Sequence, residues 1–329
     1  GIAPVETIKL GCEQFERVFD TTHGGFGGPP KFPRPSELLL LMREYYRSGD
    51  ARLRDMALET LRAMVKGGIR DHVGGGFHRY SVDGQWRIPH FEKMLYDQAQ
   101  LALACLEAGQ LTGEGEFFEA ALDTLDYVAR DLTGVEGGFL SAQDADSVPP
   151  EHVTDPKAHS IEGAFYLWTQ EELEDLLGND ADIVVRRFGV EPSGNAPHDP
   201  TGEFLGKNQF FLAKSMDDVS HDIGMDVPAI KARLAEARNT LREHRAKRPH
   251  PHLDDKVLAA WNGLMIAAAA RAARVVPGGA PQATQMAERA AEFVKDVLWD
   301  STSGVLRRCY RDGQASIDGY CEDYAFVIW

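Results

Sequence analysis

The sequence predicts an all-α chain whose helices pair into hairpins around a common axis, an (α/α) toroid with short β-hairpins in its connectors. Three observations predict it. Helical periodicity runs through most of the chain, helices that are apolar all round alternate with amphipathic ones, and the segments joining the pairs echo one another. A helix without a polar face is buried on all sides, whereas an amphipathic one covers a core on one side and meets water on the other. Repeated as inner and outer partners, such hairpins close around an axis. An open helical solenoid is the rival, but it would not need fully apolar inner helices.

The first pair spans residues 38–66. Leu38 to Tyr46 is nearly all apolar and reads as an inner helix. Leu53, Met56, Ala57, Leu61, Met64 and Val65 then step by three and four along one face, and Gly67 with Gly68 closes the helix. The second pair spans 92–132. Met94 to Ala108 is its inner helix, and Phe117, Phe118, Ala121, Leu122, Leu125, Val128 and Leu132 mark the outer one. The segment 149–220 breaks this rhythm. It is rich in Pro, Gly and Asn and reads as a loop-rich insertion into the third hairpin, with a few short strands. Thr169 with Glu172 makes a capping box for a short helix, and Pro228 opens an amphipathic helix through Ile230, Leu234, Ala237 and Leu241. The third pair spans 255–298, with Val257 to Val276 inside, stopped by Pro277, and Met286, Ala290, Phe293, Val294 and Val297 outside. "GYCEDYAFVIW" then begins a further inner helix.

The connectors are "HGGFGGPPKFPRP", "GGGFHRYSVDGQWRIPH", "GVEGGFLSAQDADS" and "SGVLRRCYRDGQASIDGYCED". Each has glycine, then a short β-like run, then an acidic or aromatic helix start. Glycine permits tight turns and close backbone approach.

Composition narrows the function. Acidic residues number 51 against 35 Lys and Arg, for a formal net charge of -16, which argues against a nucleic-acid backbone as partner. No apolar run approaches the roughly 18 residues of a membrane span, and no signal peptide is visible. Cys12, Cys105, Cys309 and Cys321 form no C-x-x-C and no compact disulfide framework, so a reducing, cytoplasmic location is expected.

Chemistry is expected where inner helices start, because helix N-termini offer free N–H donors and favour anions. Acids recur there: Glu92 and Asp97, Asp144 and Asp146, Glu162, Asp254 and Asp255, Glu322 and Asp323. Aromatic residues accompany them, among them Tyr80, Trp86, Trp168 and Trp261. Aromatic rings stack on the apolar face of a sugar ring, and carboxylates bind hydroxyls or move protons. Glu92, Asp97, His78 and His90 are the expected acid–base groups. Trp86, Tyr80, Asp144, Asp146, Trp168, Asp254, Trp261 and Glu322 are the expected substrate contacts. Each acid taken alone also serves as a helix cap or dipole partner. His72, His78 and His90 raise the alternative of a metalloenzyme, but their spacing matches no known zinc pattern, so no metal and no cofactor is expected. No G-x-S-x-G elbow and no G-K-[ST] phosphate loop occurs.

The motifs "GGFGGPPKFPRP", "GGIRDHVGGGFHRYSVDGQWRIPHFEKMLYDQAQL", "GGFLSAQDADS", "EGAFYLWT", "DDKVLAAWNGLMI" and "GYCEDYAF" run in order from Gly24 to Phe326. With them the chain resembles the thioredoxin-domain-containing proteins of the spermatogenesis-associated thioredoxin-like type. The resemblance implies a toroid similar to six-hairpin glycosidases and N-acylglucosamine 2-epimerases, preceded by a thioredoxin-like domain. That domain's redox cysteine motif does not occur here. Three hairpins and a started one fall short of six, so residues 1–329 are expected to be one toroid domain, incomplete and truncated at both ends. The expected function is a glycoside hydrolase or sugar epimerase with a sugar or glycan ligand. The alternative is a non-catalytic glycan- or protein-binding scaffold serving the thioredoxin-like module.

Overall fold

A computed structural model of the chain describes residues 5–155, 157–199 and 202–329. Its helices are α1 (Val5–Val18), α2 (Pro35–Ser48), α3 (Ala51–Lys66), α4 (Leu95–Thr112), α5 (Gly115–Asp131), α6 (Gln170–Leu177), α7 (Ala181–Phe188), α8 (Met216–Ile223), α9 (Val227–Arg245), α10 (Ala259–Val275), α11 (Pro281–Phe293) and α12 (Cys321–Ile328). Helices α2, α4, α10 and α12 pack side by side in that order, and α3, α5 and α11 lie outside α2, α4 and α10. This is the all-α, inner-and-outer arrangement of an (α/α) toroid.

Local chemistry explains the helix bounds. Pro35 sits in the first turn of α2, where its missing N–H costs nothing, and Gly49 ends the helix in the left-handed region. The Asp50 side chain then caps α3 by accepting from Arg52 N. The inner helices α4 and α10 have no side-chain cap; each leaves directly from a short strand. Along α4, Leu95, Leu101, Ala102, Ala104, Cys105, Leu106 and Ala108 are all fully buried, as expected of a helix enclosed by α2, α5 and α10. Burying each leucine of this kind contributes about 1.5–3 kcal/mol.

The connectors pair as short strands: β1 (Tyr80–Ser81), β2 (Pro89–His90), β3 (Lys93–Met94), β4 (Ala142–Gln143), β5 (Asp146–Ser147), β6 (Ile161–Glu162), β7 (Leu253–Asp254), β8 (Val257–Leu258), β9 (Trp299–Asp300), β10 (Val305–Arg311) and β11 (Gln314–Asp318). The sheet β3-β4-β7 joins the entry to α4, the exit from α5 and the approach to α10. Inner-helix N-termini are thereby held at one end of the toroid.

The segment 149–220 has more order than its composition suggests. It contains α6 and α7 and runs into α8; Thr169 caps α6, Ser215 caps α8, and Gly178, Gly189 and Gly224 close the three helices. With α9 they bury Leu173, Ile183, Val184, Phe210, Val219, Ile230 and Leu241 in a core of their own. The insertion lies between α5 and α10, ahead of the third hairpin. No helix among the described residues is long and apolar enough to cross a membrane.

Candidate functional site

The unit 79–97 gathers acidic, imidazole and aromatic side chains around the start of α4, at the toroid end, or mouth, where the inner-helix N-termini lie. The pairing of Tyr80 with His90 in β1-β2 sets their rings in a stack 4.9 Å apart, and Phe32 packs 4.8 Å from Tyr80. His90 Nδ1 donates to Glu162 Oε1 at 2.7 Å, and Nε2 lies 3.7 Å from Glu92 Oε2. The hydrogen bond to Glu162 pulls the His90 imidazole above its ordinary range, against the effect of burial. Burial pushes Glu162 up, but His90 and the Phe91 N–H outweigh it and hold its carboxyl low. Arg79 donates to Glu92 at 2.6 Å. Tyr96, on the first turn of α4, meets Trp261 of α10 edge-on at 4.9 Å.

Asp97 differs from its acidic neighbours. It is 7% exposed, and its Oδ2 has no hydrogen-bond partner among the described residues. Burial pushes its carboxyl up to about 7; Arg79 opposes the shift and Glu92 adds to it. A carboxyl with this value carries a proton about half the time at neutral pH, which suits it to either direction of proton transfer.

Asp146 and Glu162 face each other across β5-β6, and Asp144 lies two residues away. Burial, then Asp144 and Glu162, raise the Asp146 carboxyl. Asp144 is exposed and accepts from Ala145 N at 2.7 Å. Asp254 sits on β7 beside β4 and pairs with Lys256 at 3.1 Å. Glu322 is exposed at the start of α12 and pairs with Arg308 at 2.7 Å.

Three expected site residues lie elsewhere. His78 is fully buried; its Nδ1 donates to Phe91 O at 2.9 Å, and burial with the nearby Lys93 charge lowers it to about 3, so it is neutral. Trp86 is also fully buried and has a left-handed φ of 62°; its indole N–H donates to His23 O at 3.1 Å, so no ring face is open to a ligand. Trp168 belongs to the insertion core, under the Arg248 guanidinium 3.9 Å from its ring centre. The three histidines of the metal alternative do not converge. His72 Nε2 donates to Gly67 O, and no group of three or more potential ligands is placed to hold a metal among the described residues.

A second cluster, beneath the mouth, escaped sequence reasoning. Arg245, at the end of α9, makes two hydrogen bonds to Asp71, of 2.9 and 2.8 Å. Lys93 donates to Asp71 Oδ2 and to Gly75 O, both at 2.8 Å. All three side chains are buried. Burial pushes Asp71 up, but the two cations outweigh it and hold it well below the usual range. Gly74 is glycine for this cluster: a Cβ there would lie 2.0 Å from Arg245 Nη2. Asp71 and Arg245 are 174 residues apart, so spacing carries no sign of the pair.

Comparison with known proteins adds kinship. The chain is 41% identical over 348 residues to human spermatogenesis-associated protein 20, a match covering 98% of this chain. It belongs to the spermatogenesis-associated protein 20 family. Another family relative, in Caenorhabditis elegans, is an uncharacterized protein 35% identical over 98% of the chain. The chain spans less than half the length of these relatives, 43% of the human protein and 46% of the nematode one. No protein-family model matches it. Among solved structures it is similar to a cellobiose 2-epimerase from Bacillus thermoamylovorans, at 14% identity and a TM-score of 0.38, covering 98% of this chain and 97% of the other. A family 76 glycoside hydrolase from a bovine Bacteroides thetaiotaomicron strain is similar at 13% identity and a TM-score of 0.38, covering 92% and 57%.

Proposed function

We propose that the mouth at the start of α4 is a general acid–base site acting on a sugar. The observation that carries the proposal is Asp97, a buried carboxyl pushed up to about 7 with an unpartnered Oδ2. Around it stand a second acid, Glu92, and the hydrogen-bonded pair His90–Glu162. Tyr80 and Trp261 are the half-buried aromatic residues that would receive the apolar face of a pyranose. Asp144, Asp146 and Asp254 would bind hydroxyls. Asp97 would take a proton from the sugar or give one, and His90 would complete the transfer.

In this reading the thioredoxin-like domain belongs to a longer chain, and the cytoplasm is its compartment.

The test follows proton exchange directly. The protein is incubated with a panel of reducing sugars and disaccharides in D2O, and NMR follows deuterium uptake at carbon, epimer formation and glycosidic cleavage. Wild type is expected to turn over at least one sugar. Asp97→Asn and Glu92→Gln should slow it by about 10²-fold or more with unchanged circular dichroism. Equal rates in wild type and Asp97→Asn would remove the assignment.

One observation favours the scaffold alternative: Glu92 and Glu162 already have cationic or imidazole partners, as binding-site walls often do. Saturable sugar binding without any turnover in the same panel would select it.

A further inference from the structure

Beneath the mouth, the cluster Asp71–Lys93–Arg245 does not balance its own charge. One carboxylate serves two cations, and all three groups are buried. The next carboxylate these cations sense is Asp131, which is already paired with Arg130 at 2.5 Å. Arg242 stands nearby, with Asn239 as its only side-chain hydrogen-bond partner among the described residues. A buried cation without a countercharge is unfavourable, and burying the ion pair does not remove that cost for the extra charge.

The cluster also opens on a cavity of about 40 Å³, lined by Lys93, Arg130, Gln143, Arg242 and Arg245 among others; Asp131, held by Arg130, is the one carboxylate among the lining residues. A single water needs roughly 10–15 Å³, so a small ion fits. Donors are free to meet it. Lys93 uses two of its N–H groups, on Asp71 and Gly75. Both Tyr127 and Tyr166 donate their hydroxyls to Gln143 Oε1, at 3.1 and 2.8 Å, which fixes that amide and leaves its NH2 without a partner among the described residues. The tyrosine rings and Phe165 wall the cations, with Lys93 Nζ 4.2 Å from the Tyr127 ring centre and Arg245 5.1 Å from Phe165.

We propose that this cavity is a binding site for a small monoanion, a halide or a formate-sized carboxylate, held by Lys93, Arg245 and the Gln143 amide as the missing countercharge of the Asp71 cluster. The site is separate from Asp97 and independent of the sugar reading. Its selectivity is by size: a bulky monoanion is excluded by the volume.

Two measurements test it. Thermal unfolding is followed at constant ionic strength while sodium chloride or sodium formate replaces the sodium salt of a bulky morpholinoethanesulfonate. Chloride and formate should each raise the midpoint saturably, and which saturates first tells halide from carboxylate. In Lys93→Met the remaining Asp71–Arg245 pair is neutral, so the dependence on small anions should weaken at least tenfold in apparent affinity. Should that variant not fold, chlorine-35 NMR of wild type decides. Saturable line broadening reversed by formate supports the site. A midpoint indifferent to anion size in wild type, or broadening that formate does not reverse, overturns it.

Discussion

Replacing Asp97 by Asn should change how stability depends on pH. In the folded chain burial pushes this carboxyl up to about 7. In the unfolded chain it titrates near 3.9. A folded value above the unfolded one means that the folded chain holds the extra proton between them. Stability from this group is therefore complete below about pH 3.9 and is lost as pH rises to about 7. The slope is about 1.4 kcal/mol per pH unit, and the whole loss is about 4 kcal/mol. Asn does not titrate, so the variant lacks this loss. His72 and His78, both held near 3 by burial, act in the opposite sense as pH falls below about 6.5. They are present in both proteins and cancel in the comparison. Urea unfolding of wild type and Asp97→Asn from about pH 5 to about pH 8 should show their difference moving in favour of Asn by about 2.5 kcal/mol, levelling off above pH 7. A difference independent of pH would show Asp97 ionised throughout and unfit to give a proton at neutral pH.

The buried cluster supplies two further predictions. Asp71→Asn leaves Lys93 and Arg245 without their carboxylate and should cost about 3–5 kcal/mol in urea unfolding; a loss under about 1 kcal/mol, the usual figure for an exposed pair, would mean that water screens the cluster. Gly74→Ala places a methyl against Arg245 Nη2 and should cost about 1–3 kcal/mol, with most of that cost absent in an Arg245→Met background, as double-mutant-cycle calorimetry would show.

Much of the architecture was legible because it rests on local patterns. The apolar run 94–108 and the three-and-four spacing of 53–65 follow from how a helix divides its surface, and both became the helices they describe. The insertion was less legible. The Thr169 cap of α6 was visible, but α7 and α8 are only eight residues each and follow Pro- and Gly-rich runs that read as loop.

In the stretch 78–97 the sequence could not say which way the side chains turn. His78 and His90 are twelve residues apart in one connector. Pairing of β1 with β2 sets His90 at the mouth, while His78 turns into the core between Phe91 and Tyr166. Trp86 likewise looked like a sugar platform and is a fully buried wedge beside Gly25.

The sequence by itself determined the inner and outer helices, the glycine-rich connectors and the acidic helix starts, because periodicity, caps and turn chemistry act over a few residues. Only the tertiary structure decided that Asp97 would be buried with its Oδ2 unpartnered among the described residues, that Glu92 and Glu162 would be paired, and that Asp71 would hold Lys93 and Arg245. Those outcomes depend on burial and on charges meeting across tens to hundreds of residues, where the chain's order carries no distance information.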